Sequence, residues 1–199
     1  AGMALKYIVL PGSLAYDESV PNYWYDQNKA KQLVRDGGFP NGVDVTIDII
    51  SRQLDQQQGQ MLKQMWDSIG IRTNLLVSER AAWVSKTREA GNFEFATMRN
   101  PGESDPALDM DKYLSGSNPS SYHKYVNPDF EKCLTDANAV YDTAKRKELY
   151  RRCQTLAYND AFEGFVWVQT WNWLIRKEVK GFQPSWGEHW ELSEVWLDK

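Results

Sequence analysis

The alternation of strand-like and helix-like patterns in the middle of the chain most constrains its fold. The order is strand, helix, strand, helix, strand, at about 43–50, 55–68, 71–77, 78–89 and 93–98. The connections are a few residues long, and Gly70 ends the first of these helices. Such alternation is typical of an α/β sheet covered by helices, because each helix returns the chain to the start of the next strand.

A capped helix precedes the first of these strands. Ala30, Leu33 and Val34 form an apolar stripe, and Asp26 can accept a hydrogen bond from the free amides of the first turn. The glycine pair at 37–38 can adopt the positive φ that ends a helix. The segment therefore predicts a helix, a turn and then the strand.

The C-terminal half predicts a helical hairpin. Asn127 and Pro128 open a helix that runs to about 140, and Asp142 caps a longer helix that runs to about 158. Asp55 is expected to cap the helix at 55–68 in the same way.

The remaining segments carry weaker patterns. The first 25 residues read as irregular, a short helix is expected near 107–114, and the segments 165–168 and 173–179 are strand-like. The end of the chain, at 192–197, predicts either a final strand or a short terminal extension.

Length and composition indicate one globular domain over 1–199. The 199 residues suffice for a substantial core, and the apolar fraction of 42% is ordinary for such a domain. No apolar run approaches the roughly 18 residues of a membrane span. The 27 acidic and 23 basic residues are spread along the chain without a basic stripe, so nucleic acid is not an expected partner.

The two cysteines leave two alternatives. Cys133 and Cys153 lie on the two helices of the predicted hairpin and match no metal-binding spacing. They either form a bridge between these helices or remain buried free thiols. Their unequal distances from the intervening turn favour free thiols, because antiparallel helices would then place them out of step.

Four segments resemble, in the same order, the family-5 solute-binding proteins of bacterial ABC importers, a group that includes the oligopeptide- and dipeptide-binding proteins. They read LPGSLAYDESVPNYWYDQNKAKQLVRDGGFPNG, IGIRTNLLVSERAAWVSKTREAGNFEFA, PDFEKCLTDANAVYDTAKRKELYRRCQTLAYNDA and IRKEVKGFQPS. The resemblance covers nearly the whole chain. It implies one lobe of a type II, dipeptide-binding-like periplasmic-binding-protein fold, with a mixed β-sheet flanked by helices and a helical hairpin.

Family members are much longer and have two lobes around a ligand cleft. The resemblance implies that this chain is most of the C-terminal lobe. The tail at 186–199 is similar to the segment that returns to the N-terminal lobe in the family.

One loop of the family faces the ligand, and here it reads MRNPGESDP. The Asp-Pro pair at 105–106 matches the family, whereas the family's Gly-Trp pair has no counterpart. The aspartate that holds a peptide's amino group in peptide-binding members falls at Gly102. Glu103 stands one residue away, and Arg99 and Asn100 can bind carboxylate or hydroxyl groups. The alternative is a solvated loop in which Asp105 caps the next helix.

Aromatic residues suggest a second part of the cleft. Gln169 and Trp171 share one face of a strand that lines the cleft in the family, so they can hydrogen-bond to and stack on a ligand. The other late tryptophans are expected in the core or at the lobe interface: Trp167, Trp173, Trp190 and Trp196.

Enzymatic and metal sites lack a motif. The only histidines, His123 and His189, lie far apart in the sequence and belong to no metal-spaced cluster. Nothing resembles a nucleophile elbow. The chain is therefore expected to be neither an enzyme nor a metal or cofactor protein.

The resemblance predicts the solute-binding component of an ABC import system. The expected ligand is a peptide or an oligosaccharide, held between this lobe and the missing one and delivered to a membrane permease. The expected location is periplasmic or extracellular, with membrane association through the transporter or a lipid anchor. The alternatives are the sensory domain of a transcription regulator with the same fold and a glycan-active enzyme.

Overall fold

The computed structural model of the chain describes residues 2–4, 8–20, 23–99, 105–114, 123, 125–169, 172–184 and 190–198, and at 2–4, 111–114 and 169 it describes the backbone alone. The chain divides into two compact units, one of Ala1–Asn22 with Asn100–Lys199 and one of Tyr23–Arg99. A single domain over 1–199 stays a prediction.

The described elements alternate along much of the chain. In order they are β1 (Gly2–Ala4), α1 (Gln27–Asp36), β2 (Val43–Ile50), α2 (Gln53–Asp67), β3 (Ile71–Ser78), α3 (Arg80–Val84, continued as a π-helix over Ser85–Glu89), β4 (Phe95–Ala96), α4 (Pro106–Leu114), α5 (Pro128–Asn138), α6 (Thr143–Asn159), β5 (Trp167–Gln169), β6 (Val179–Lys180) and β7 (Trp196–Leu197). None of these helices is both long and apolar enough to cross a membrane.

A parallel sheet with the order β3-β2-β4 organises the unit Tyr23–Arg99. Strands β2 and β3 pair along their whole length, from Val43 with Ile71 to Ile50 with Ser78. Only Phe95 and Ala96 of the third predicted strand pair with β2, so that strand is shorter than the expected 93–98. The last four residues of β2 are buried, which makes β2 the centre of the sheet.

Helices cover both faces of this sheet. Alternation along β2 places Asp48 and Ile49 on opposite faces. Helix α2 packs on the Ile49 face at Gly59. The segment after β3 covers the other face, where Lys86 Nζ lies 2.6 Å from Asp48 Oδ1. Helices on opposite faces are the expected result of right-handed crossovers in opposite directions, and they confirm the predicted α/β class.

Local signals located α1 well and α2 less well. Asp26 caps α1 as predicted, since its Oδ1 accepts a hydrogen bond from Lys29 N at 2.9 Å, and Gly38 has a φ of 93°. The prediction that Asp55 caps α2 is wrong, because α2 begins at Gln53 and Asp55 lies in its first turn. Its carboxylate pairs with an arginine instead of the free amides.

Gly59 sets how closely α2 approaches the sheet. A Cβ at this position would lie 2.1 Å from Ile49 Cδ1. We expect Gly59→Ala to lower the free energy of unfolding by about 1 kcal/mol, because an overpacking cost of about 1–3 kcal/mol exceeds the gain of about 1 kcal/mol in helix propensity. Urea unfolding followed by circular dichroism measures this.

Ile49→Val provides the control, because it removes the atom that the new methyl group would meet. In that background Gly59→Ala should be neutral or stabilising. Equal losses in both backgrounds would show that the contact with Ile49 does not set the approach.

The predicted hairpin of α5 and α6 forms the centre of the other unit. Asn127 caps α5 by accepting hydrogen bonds from Asp129 N and Phe130 N, and Asp142 caps α6 through Lys145 N. The core of this unit is built mainly of apolar side chains from these helices, α4 and the N-terminal segment. They include Val9, Met110, Phe130, Leu134 and Tyr150. Buried Gln154 also ties the N-terminal segment to α6, because its Nε2 donates to Ala15 O at 2.8 Å.

Cys133 and Cys153 form a disulfide in the structure, with 5.6 Å between their Cα atoms. The prediction that favoured two free thiols is therefore wrong, and the alternative of a bridge is the one that the structure shows. Both side chains are buried between α5 and α6. Counting residues from the turn did not capture that the two positions lie close enough to bond.

The strands of this unit differ most from expectation. β1 pairs antiparallel with β5, from Gly2 with Gln169 to Ala4 with Trp167, although the first 25 residues were expected to be irregular. The predicted strand at 173–179 reduces to β6, which pairs antiparallel with β7. Three- and two-residue strands leave no periodic signal, and their pairing depends on distant segments.

Candidate functional site

Polar and charged side chains collect at the carboxyl edge of the parallel sheet in the unit Tyr23–Arg99. In open α/β sheets ligands bind beyond the carboxyl ends of the strands, where neighbouring connections leave to opposite sides. β2 is such a point here, since it lies between β3 and β4. Ser51 and Arg52 follow β2, Glu79 follows β3 and Arg99 lies shortly after β4.

Two arginines face one carboxylate at this edge. Arg52 Nε lies 2.6 Å from Asp55 Oδ2, and Arg99 Nε lies 3.5 Å from Asp55 Oδ1. The Asp55 side chain is only 5% exposed, whereas the Arg52 side chain is 46% exposed. The charges of these three groups sum to one positive charge. We call them the Arg52–Asp55–Arg99 cluster.

The geometry of the Arg52–Asp55–Arg99 cluster suits an anionic ligand. A guanidinium group has five N–H donors in a planar fork. Asp55 engages Nε and Nη2 of Arg52, so this carboxylate orients the fork without occupying all of it. A ligand carboxylate that approaches the exposed side of Arg52 would form charge-assisted hydrogen bonds.

An open depression of about 560 Å³ lies next to the residues that flank Arg52 in the sequence. It is lined by Ser51 and by one face of α2, with the glutamines Gln53, Gln56, Gln57 and Gln60. The spacing of these positions places them along one helix face. Primary amides both donate and accept, so the groove can match the N–H and C=O groups of an extended peptide.

Asp105 belongs to the unit of Ala1–Asn22 and Asn100–Lys199, and its partners lie in that same unit. Its Oδ1 accepts from Ala107 N at 2.9 Å and lies 3.0 Å from Arg146 Nη2. The first contact is the helix cap that the sequence left open as the alternative to a ligand contact. Arg99 and Asp105 were both predicted in one ligand-facing loop. In the structure Arg99 pairs with Asp55 of the unit Tyr23–Arg99, whereas Asp105 pairs with Arg146 of the other unit.

The other predicted site residues lie outside the described side chains. Asn100, Glu103 and Trp171 are outside the described residues, and so are Gly102 and His189. Gln169 belongs to β5 by its backbone, and its pairing with Gly2 is described. The predicted ligand contacts of Asn100, Glu103, Gln169 and Trp171 stay predictions.

Sequence reasoning missed Arg52 and the glutamine face. Arg52 follows directly on a strand that was correctly predicted, and the carboxyl-edge rule would have selected it. The glutamines at 53, 56, 57 and 60 already had helical spacing. No site was predicted from this polar face, because a groove becomes visible only when the strand ends are in place.

Glu163, which follows α6, lies near His123. His123 Nε2 is 3.7 Å from Glu163 Oε2, and burial raises the pKa of Glu163 to about 7. The ring of Phe162 packs against both His123 and Tyr125, stacking on the latter with 4.0 Å between ring centroids. Among the described residues no group of three or more His, Cys, Asp or Glu side chains is arranged to hold a metal ion.

A parallel α/β unit and a helical hairpin are the elements expected of one lobe of a type II periplasmic binding protein. Residues 2–122 match the family described as bacterial extracellular solute-binding proteins, family 5, middle region. The chain belongs to this family, as its motifs predicted.

Curated relatives agree with this assignment. The chain is 25% identical to the dipeptide-binding protein of Escherichia coli K12 over 98% of its own length and 38% of the relative's. It is 27% identical to heme-binding protein A of Haemophilus influenzae over 81% of its own length and 31% of the relative's. The chain therefore spans less than two fifths of these relatives.

Solved structures show the same fold. HbpA2 from Haemophilus parasuis superposes with a TM-score of 0.85 at 23% identity, over 100% of this chain and 40% of that one. A dipeptide-binding protein from a Pseudoalteromonas species, in complex with Met-Leu, has a TM-score of 0.80 at 19% identity, over 99% of this chain and 40% of that one. These structures confirm the predicted fold class.

Proposed function

We propose that this chain is most of the C-terminal ligand-binding lobe of a peptide receptor for an ABC import system. Membership of a solute-binding family supports a binding role rather than catalysis. The observation that carries the ligand assignment is the exposed Arg52 fork held by buried Asp55, on the same helix start whose glutamines line the depression.

The chemistry of the groove favours a peptide over an oligosaccharide. A peptide has a terminal carboxylate for Arg52 and regularly spaced amide groups for the glutamines. An oligosaccharide has no obligatory negative charge to match an arginine. The names of relatives point the same way, since they include dipeptide- and glutathione-binding proteins.

The remaining contacts and partners follow from the same proposal. Arg99, Asn100, Glu103, Gln169 and Trp171 would contact the ligand from this lobe, and an N-terminal lobe would close over it. Asp105 differs from these five because its carboxylate already binds Arg146.

The proposed setting is that of an extracytoplasmic receptor. The tail at 186–199 would return to the N-terminal lobe, and the closed receptor would deliver its ligand to the membrane permease. We place the protein in the periplasm or at the cell exterior, held near the membrane by the transporter or a lipid anchor, in line with its extracellular family.

A peptide titration of the 199-residue chain tests this proposal. Met-Leu, the peptide bound in one structural relative, is added at millimolar concentration while side-chain N–H signals are followed by NMR. We expect Arg52 and the groove glutamines to respond to Met-Leu and much less to its C-terminal amide. The difference should be about 10-fold or more in Kd, because a charge-assisted hydrogen bond contributes about 1.5–3 kcal/mol.

Arg52→Gln should abolish the preference for the free carboxylate, whereas Arg80→Gln should retain it. Arg80 is the matched control because it is an exposed arginine at the start of α3. Equal binding of both peptide forms, or signals that shift only outside the groove, would contradict the assignment of this site.

A further inference from the structure

Glu79 lies beside Ser51 at the carboxyl edge of the parallel sheet. Strands β2 and β3 pair as far as Ile50 with Ser78, and Ser51 N donates to Ser78 O at 2.8 Å, which continues the pairing beyond the strands. Residues paired across parallel strands point to the same face of a sheet. Glu79 therefore shares the face of Ser51, which lines the depression beside α2.

A direct contact fixes the carboxylate of Glu79 against this lining residue. Ser51 Oγ donates to Glu79 Oε1 at 2.9 Å. The backbone of Ser51 is held as well, because Gln56 Nε2 of α2 donates to Ser51 O at 3.3 Å. The carboxylate of Glu79 thus lies one hydrogen bond away from the lining of the depression.

The carboxylate of Glu79 does not serve the helix that it precedes. Glu79 stands at the N-cap position of α3, but its side chain makes no capping hydrogen bond. Within the part of the chain that the structure describes, its Oε2 has no hydrogen-bond partner, and the residue is exposed. One carboxylate oxygen therefore remains available to a ligand.

The charges at this edge of the sheet add up to zero once Glu79 is included. The Arg52–Asp55–Arg99 cluster carries one positive charge, and Glu79 carries one negative charge. No ion pair among the described residues joins Glu79 to Arg52. Adjacent strands lie about 4.8 Å apart, and the charged ends of an extended dipeptide are at most about 7 Å apart. One small ligand can therefore reach both side chains.

We infer that Glu79 binds the ammonium group of the ligand, so that the site selects a short dipolar ligand over a purely anionic one. The ammonium group donates a charge-assisted hydrogen bond to Oε2 of Glu79, while the ligand carboxylate meets Arg52. The role of Arg52 rests on the proposed function, whereas the role of Glu79 does not. A ligand with negative charges at both ends would be repelled by Glu79.

Four forms of Met-Leu, the peptide bound in one structural relative, test the two ends separately. The amino group is free or acetylated, and the carboxyl group is free or amidated. Each form is titrated into the 199-residue chain at a pH below the pKa of the peptide amine, and the backbone N–H signals of residues 51 and 79 are followed by NMR. The wild type should bind each free-amine form about fivefold more tightly than its acetylated counterpart, the upper end of what exposed ion pairs contribute.

Glu79→Gln should abolish the preference for the free amine. Glutamine keeps an oxygen that can accept from Ser51 Oγ, so the contact to the β2 end is retained while the charge is lost. Glu89→Gln is the matched control, as an exposed glutamate of the same unit, and it should keep the preference. If Glu79→Gln weakens free-amine and acetylated forms by the same factor, Glu79 only holds Ser51 and does not bind the ligand.

The amidated forms separate Glu79 from Arg52. If the free amine is preferred through Glu79 but the free carboxylate gives no gain, the ammonium site stands and the assignment of Arg52 fails. If the free carboxylate is preferred through Arg52 but acetylation has no effect, the proposed function stands and the role of Glu79 is refuted. A preference for the free amine that survives Glu79→Gln also refutes this role, because another group then holds the ammonium. If no form shifts the signals, both assignments fail.

Discussion

Replacing Lys86 by methionine is expected to lower the free energy of unfolding by about 2–3 kcal/mol. Lys86 Nζ lies 2.6 Å from Oδ1 of Asp48, a carboxylate that is 1% exposed on the central strand. Methionine fills a similar volume but leaves this charge without its cation. Removing one partner of a buried pair costs about 3–5 kcal/mol, and we take a lower value because the Lys86 side chain is 33% exposed.

Denaturant unfolding of paired variants measures this effect. Asp48→Asn in the Lys86→Met background should recover much of the loss, because it removes the uncompensated charge. Lys132→Met is the matched control: Lys132 pairs with Asp136 four residues away on an exposed helix face, and its loss should cost about 0.5 kcal/mol or less. Similar losses for both lysine variants would refute the special role of the buried pair.

Removing the disulfide is expected to cost about 3 kcal/mol. Cys133 and Cys153 are 20 residues apart in sequence, and closing a loop of this size removes about that much conformational freedom from the unfolded chain. The double variant Cys133→Ala/Cys153→Ala should therefore unfold at a clearly lower denaturant concentration than the oxidised wild type.

Reduction of the wild type provides the control without a change in sequence. Reduced wild type and the double variant should lose similar stability, with the hairpin helices still present in the folded state. If reduction leaves the unfolding midpoint unchanged, the bond does not contribute to stability, and the two thiols behave as the free apolar side chains that the sequence favoured.

Elements with strong local signals were predicted correctly. Asp26 caps α1 and Asn127 caps α5, since capping involves atoms only two or three residues apart. The apolar pattern of β2 and β3 located both strands of the parallel sheet. These agreements follow from interactions that are complete within a few residues.

Features that need distant partners were predicted poorly. β1 pairs with β5 across most of the chain, and Gly2–Ala4 has no pattern that would reveal it. The π-helix at Ser85–Glu89 replaces the regular end of the predicted helix, with Ala90 N bound to Ser85 O. Neither feature leaves a periodic signal in the sequence.

The candidate site shows the same division. The sequence selected Arg99 because its loop resembles the family's ligand-facing loop, whereas Arg52 stands in no such motif. Their shared contact with Asp55 forms only once β2 and β4 are paired. Asp105 was predicted as a ligand contact with a helix cap as the alternative, and the structure shows the cap; its fork with Arg146 required the fold of the hairpin.

The amino-acid sequence by itself determined the family, the α/β class, the order of the main elements and the capped hairpin, because these depend on motifs, periodicity and contacts between near neighbours. Only the tertiary structure decided which charged side chains meet. It brought Cys133 and Cys153 close enough to form a disulfide, and it buried Asp48 against Lys86. Such pairings depend on helix register and strand order, and a shift of one residue rotates a helical side chain by about 100°.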